Sequence, residues 1–114
     1  MSRPKPPDPA KLVISLFMND RAIFNNAVTL LESRFGTIDR FSEWFEFDYT
    51  DYYYQEMGFP LFRKLVTFKD LINQSDLVDI KLFTNSIEKR WESENRRSIN
   101  IDPGYLLLSR FILA

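Results

Sequence analysis

The segment from Lys11 to Met18, KLVISLFM, constrains the fold more than any other stretch of the chain. It is a near-continuous apolar run of strand length, rich in β-formers and bounded by Pro9 and by Asn19-Asp20. Such a strand has no face it can leave in water, so the run predicts a central strand covered on both sides. Ahead of it, prolines at positions 4, 6, 7 and 9 fix φ and remove backbone donors, which predicts an extended tail over 1–10. That tail either packs across the sheet, stays loose, or offers a polyproline ligand. Residues 11–114 are then expected as one α+β domain.

Beyond Met18 the chain alternates between helix and strand periods. In DRAIFNNAVTLLESRFG the apolar positions Phe24, Ala27, Val28, Leu31 and Phe35 recur at three and four. A helix is expected there, capped by Asn19 or Asp20 and stopped by Gly36. FSEWFEFDY (41–49) puts Phe45 and Phe47 on one face and Glu46 and Asp48 on the other, and LFRKLVTF (61–68) reads as a further strand past a corner at Gly58 and Pro60. Ser75 or Asp76 caps a second helix whose stripe is Leu77, Ile80, Phe83 or Thr84, Ile87 and Trp91. Acidic Asp76 and Asp79 sit at its start and Lys89, Arg90, Arg96 and Arg97 at or beyond its end, as the helix dipole favours. SINID (98–102) alternates again, and Pro103-Gly104 is expected to break it.

Strand, helix, strand, strand, helix, strand points to a ferredoxin-like (split βαβ) antiparallel sheet with two helices on one face. Leu106 to Ala114 is extra to that unit. The closing LLLSRFILA has no polar tail or stop signal, so it is expected either in the core or as an open edge inviting self-association.

Composition removes several chemistries. The chain is 45% hydrophobic with eleven Phe, enough to build a core over 114 residues. Its net charge of −1 provides no global field for phosphate backbones or anionic lipid, so neither nucleic acid nor membrane is expected as a partner. No apolar run is long enough to span a bilayer and no secretory leader is visible, so the reading is cytoplasmic. Without His or Cys, serine and cysteine triads and the usual zinc sites cannot be built. Only Gly36, Gly58 and Gly104 are present, so no glycine-rich phosphate loop exists.

Three polar clusters remain. Lys81, Thr84, Asn85 and Glu88 fall at i, i+3, i+4 and i+7 of the second helix, which makes either a solvated face or a ligand-facing row. In YTDYYYQEMG, Tyr49, Tyr52, Tyr53 and Tyr54 precede Glu56. They read as strand-end packing or as an aromatic platform for a base or sugar. Asn100 and Asp102 share one strand face ahead of Pro103-Gly104-Tyr105, where such residues commonly start turns.

Taken in order, YTDYYYQEMG, IKLFTNSIE and RSINIDPGYL resemble the recurring blocks of a prokaryotic family, domain of unknown function 4416, whose members are often labelled GTP-binding protein. The likeness runs over essentially the whole chain and implies that it corresponds to the N-terminal two-thirds of such proteins, truncated before a segment with a His-Arg pair and further strands. It implies a shared ligand site formed by Tyr53, Tyr54, Glu56, Lys81, Thr84, Asn85, Glu88, Asn100, Asp102 and Tyr105. No reaction comes with it, and this chain has neither a P-loop nor an NKxD motif.

Two functions are compatible with these residues. In one, the polar side chains converge on a pocket for a small molecule or nucleotide such as GTP, with Lys81 meeting phosphate and the carboxylates holding Mg²⁺. In the other, the same residues form a buried network that fixes the fold of a noncatalytic interaction or structural module.

Overall fold

β1 (Pro9–Met18) lies inside the sheet, hydrogen-bonded on one side to β4 (Leu61–Asn73) and on the other to β5 (Ile99–Leu107). The computed structural model describes residues 9–47 and 53–107. Between these strands come α1 (Ile23–Phe35), β2 (Ile38–Phe41), β3 (Phe45–Phe47), the single-turn α2 (Tyr54–Met57), and α3 (Leu77–Arg90) behind a 3-10 turn at Gln74–Asp76. The five-stranded sheet runs β2-β4-β1-β5, with β3 following β2 along the same edge of β4, and every pair is antiparallel.

The period of two along β1 sorts its side chains. Leu12, Ile14, Leu16 and Met18 are fully buried and share one core with Phe24, Ala27, Val28 and Leu31 of α1 and Ile80 and Ile87 of α3. Each such side chain removed from water contributes about 1.5–3 kcal/mol. Phe17 points to the other face, where it forms a smaller cluster with Met57 and Leu61. The central-strand expectation for KLVISLFM is thus met, although β1 starts two residues earlier, at Pro9.

Both long helices keep their expected apolar stripes, but their starts differ. Asp20 does not cap α1 directly; its Oδ1 accepts from Ala22 N at 2.9 Å in the turn ahead of the helix. No side chain caps α3 either, and the helix ends at Arg90. Gly36 closes α1 at φ 90°, a conformation that calls for glycine, and a Cβ there would also have to displace the Asp70 carboxylate, 2.5 Å away.

Three strand expectations are corrected. β2 has no counterpart among the expected strands: TIDRF is mostly polar, with Ile38 its one buried residue among 38–41. β3 is only Phe45–Phe47, because Ser42 interrupts the edge by donating its N–H to Leu65 O (2.9 Å) and accepting Leu65 N on Oγ (2.8 Å). Tyr49, Tyr52 and Asp48 lie outside the described residues, as do 108–114 with the expected FILA edge.

The third correction is that β5 runs straight through Pro103-Gly104. Ile101 sends its N–H and C=O away from β1, toward α3. Backbone direction alternates along a strand, so Pro103 also faces outward, and its missing N–H removes nothing from the β1 ladder. Ile14 pairs with Pro103 and Val13 with Gly104 without a shift in register.

Candidate functional site

α3 meets β5 edge-on. Lys81 and Glu88 stand two turns apart on the helix, roughly 10 Å along its axis, and both reach the main chain of one residue. Glu88 Oε2 accepts Ile101 N at 2.7 Å, and Lys81 Nζ donates to Ile101 O at 3.2 Å. Together they occupy the outward donor and acceptor at the middle of the outermost strand.

Arg97 extends the cluster around that strand to the opposite face of the sheet. Its Nε and Nη2 donate to Glu56 Oε2 and Oε1 at 2.9 and 3.0 Å, a bidentate fork, and its own backbone N–H adds a third bond to Glu56 at 2.9 Å. Nη1 donates to Asn100 Oδ1 at 2.7 Å and stands 3.6 Å from Glu88 Oε1. Asn100 then donates to Asp102 Oδ2 at 2.8 Å, and Asp102 Oδ1 lies 3.5 Å from Lys81 Nζ. The ring of contacts therefore closes on itself: Lys81, Ile101 backbone, Glu88, Arg97, Asn100, Asp102.

Local structure explains the placement. Asn100 and Asp102 share a strand face at spacing two, and Asn100 is buried between β1 and Arg97. Glu56 is delivered by α2, which Asn19 anchors by donating from Nδ2 to Met57 O at 3.0 Å. Arg97 is delivered by a tight turn in which Ser93 and Arg96 exchange backbone bonds of 2.9 Å in both directions.

The electrostatics separate the two glutamates. The Arg97 fork holds Glu56 below the ordinary glutamate range, and Glu56 in turn raises Arg97. Glu88 is pushed up by burial, an effect that the Ile101 N–H, Arg97 and Lys81 oppose and Asp102 reinforces.

Five of the ten expected site residues come together here: Glu56, Lys81, Glu88, Asn100 and Asp102. The other five do not. Thr84 is fully buried and its Oγ1 donates back to Lys81 O at 3.0 Å, so it belongs to the core side of α3. Asn85 lines an open depression of about 340 Å³ with Leu82, Ser86, Glu88, Lys89, Glu92 and Arg97. Tyr53 packs edge-on against Phe17 at 4.7 Å and Tyr54 against Phe59 at 5.0 Å, around the small second core cluster. Tyr105 is at the far end of β5, its hydroxyl 3.4 Å from Gln74 Oε1.

The residue that sequence reasoning misplaces is Arg97, which it assigns to the basic end of the helix. One signal is available: Arg97 precedes Asn100 by three residues, directly before the SINID alternation. Mg²⁺ does not fit the cluster. Its carboxylates are spent on Arg97, Lys81, Asn100 and a backbone N–H, and no group of three or more Asp or Glu among the described residues is arranged to hold a metal.

The family model described as domain of unknown function (DUF4416) matches residues 8–114. The chain belongs to that family. No curated protein matches it. The cluster in this DUF4416 chain has the chemistry of a charged brace: donors and acceptors are paired within the chain, and no buried side-chain N or O among the described residues lacks a partner. Among those residues no helix is long and apolar enough to cross a membrane.

Proposed function

We propose that this chain is a noncatalytic interaction or structural module in which the polar cluster belongs to the scaffold. One observation carries the reading: Lys81 and Glu88 are bound to the two main-chain polar groups of one residue, Ile101. A ligand at this spot would have to displace bonds the fold already uses. The proposal takes the architecture as ferredoxin-like, supported by the order β2-β4-β1-β5 and by the single core that α1 and α3 share.

The half-exposed Lys81–Asp102 pair, open at 3.5 Å, favours a second reading. Here a small polar ligand or a nucleotide such as GTP takes Lys81 and the depression beside Asn85. One experiment separates the two. Thermal unfolding is followed for the chain and for a Lys81→Met/Glu88→Gln variant, each with and without a panel of nucleotides and MgCl₂. The scaffold reading expects a lower Tm in the variant and no nucleotide shift that depends on Lys81 or Glu88, so that any shift is the same in both proteins. A nucleotide-dependent rise in Tm that the variant loses overturns it in favour of the second reading.

A further inference from the structure

Lys64 breaks the pattern of its strand. On β4 the residues that share the helix-covered face are Phe62, Lys64, Val66 and Phe68, and Lys64 pairs across the sheet with fully buried Leu16. A lysine in an apolar row is expected to find a carboxylate or a carbonyl. Among the described residues this one has neither. Its ammonium stands 4.8 Å from the Phe24 ring, 5.1 Å from Trp44 and 5.7 Å from Phe41. No hydrogen bond or ion pair to another described residue accompanies those rings.

Arg21 repeats the arrangement. Its guanidinium lies 4.5 Å from the Phe62 ring and 5.4 Å from the same Trp44. The ion pairs among the described residues are Lys11–Asp39, Lys81–Asp102 and Arg97 with Glu56 and Glu88, so Arg21 has no anionic partner there. The adjacent carboxylates are otherwise placed. Asp20 accepts from Ala22 N, while Glu43 and Glu46 are exposed and outside ion-pair reach of either cation.

Two cations thus flank one tryptophan, held by ring faces and with no acceptor for their side-chain N–H groups among the described residues. An aromatic wall positions a cation without neutralising it, so its donors stay available to an anion. Local sequence rules are broken most readily where function requires it, and a methionine at 64 would fill the same space without the cost of half-burying an ammonium. Phe41, whose ring Lys64 approaches to 5.7 Å, is 52% exposed at the edge of this cluster.

We infer that Arg21, Lys64 and Trp44, with Phe41 at the rim, form a binding site for a small phosphorylated ligand, in which phosphate oxygens take the two cations and a planar ring, where the ligand has one, lies on Phe41. The site is at the β2/β3 edge of the sheet, away from the charged cluster on β5, and does not depend on the role given to that cluster.

Trp44 itself reports on the site. The chain has two tryptophans, so a Trp91→Phe variant leaves Trp44 as the single emitter. Its fluorescence is titrated at low ionic strength with inorganic pyrophosphate and, separately, with adenosine diphosphate. A saturable change is expected with both, weakened at least tenfold by Lys64→Met or Arg21→Gln and kept by Lys64→Arg and by Lys69→Met, a charge loss at an exposed lysine elsewhere. Tighter binding of the nucleotide assigns the ring a place on Phe41, and equal binding assigns the site to inorganic polyphosphate. The proposal is overturned by no saturable response to either probe or by a response that Lys64→Met and Arg21→Gln leave intact. Arg21 is exposed, so Arg21→Gln decides the matter even if Lys64→Met fails to fold.

Discussion

Glu88 is turned inward by α3 and keeps a carboxylate buried because the Arg97 guanidinium and the Ile101 N–H meet it there. Removing it leaves the Ile101 N–H without its acceptor, and Arg97 loses one of its two acidic neighbours. Glu88→Ala is therefore expected to lower the free energy of unfolding by about 1–3 kcal/mol. Lys81→Met loses a half-exposed pair and keeps its aliphatic stem, so urea unfolding should show a loss of about 1 kcal/mol or less. Equal losses from the two substitutions would show that the brace is not anchored at Glu88. Spacing alone groups Lys81, Thr84, Asn85 and Glu88 on one face, yet it cannot tell that Thr84 is fully buried and that Asn85 faces the solvent side. That division depends on where β5 lies against the helix, which is tertiary information.

At the level of elements, the turn between α3 and β5 is under local strain. Glu94 and Asn95 both adopt positive φ, 53° and 63°, the backbone of a tight two-residue turn that suits Asn-Gly far better than glutamate. Glu94→Asn should relieve part of that cost and raise stability by about 0.5–1 kcal/mol, read as a higher urea midpoint at unchanged slope. An unchanged midpoint would mean that the turn carries no such cost. β1, α1 and α3 are legible in the sequence because their apolar periods are long and unbroken. β2 is not, since a four-residue edge strand with one buried side chain carries almost no periodic signal. β5 is cut short at Pro103 in a sequence reading because proline looks like a stop unless one knows that its nitrogen faces the open side of the sheet.

Across the whole molecule, stability near pH 4.5 is the balance of carboxylates shifted in opposite directions. Asp39, bonded by Lys11 and Thr67, and Glu56, bonded by Arg97, are held below their ordinary values of 3.8 and 4.5. Their contribution is present above those values and disappears as the pH falls through the lowered ones. Glu88, raised from 4.5 by burial, binds its proton more readily in the folded state. Its contribution is complete below pH 4.5 and is lost as the pH rises through the raised value. Glu56→Gln should thus flatten the stability profile just below pH 4.5 and Glu88→Gln just above it, as measured by urea unfolding at stepped pH. A Glu88→Gln profile that still declines above pH 4.5 would assign the proton to another group. The five convergent residues of the cluster are visible in the sequence, but Arg97, which joins them, is hidden because arginine near a helix end has an ordinary explanation. Lys81 and Glu88 hold a peptide group and not a side chain, so residue 101 is selected for volume alone, and the helix senses only whether an extended main chain has arrived in register.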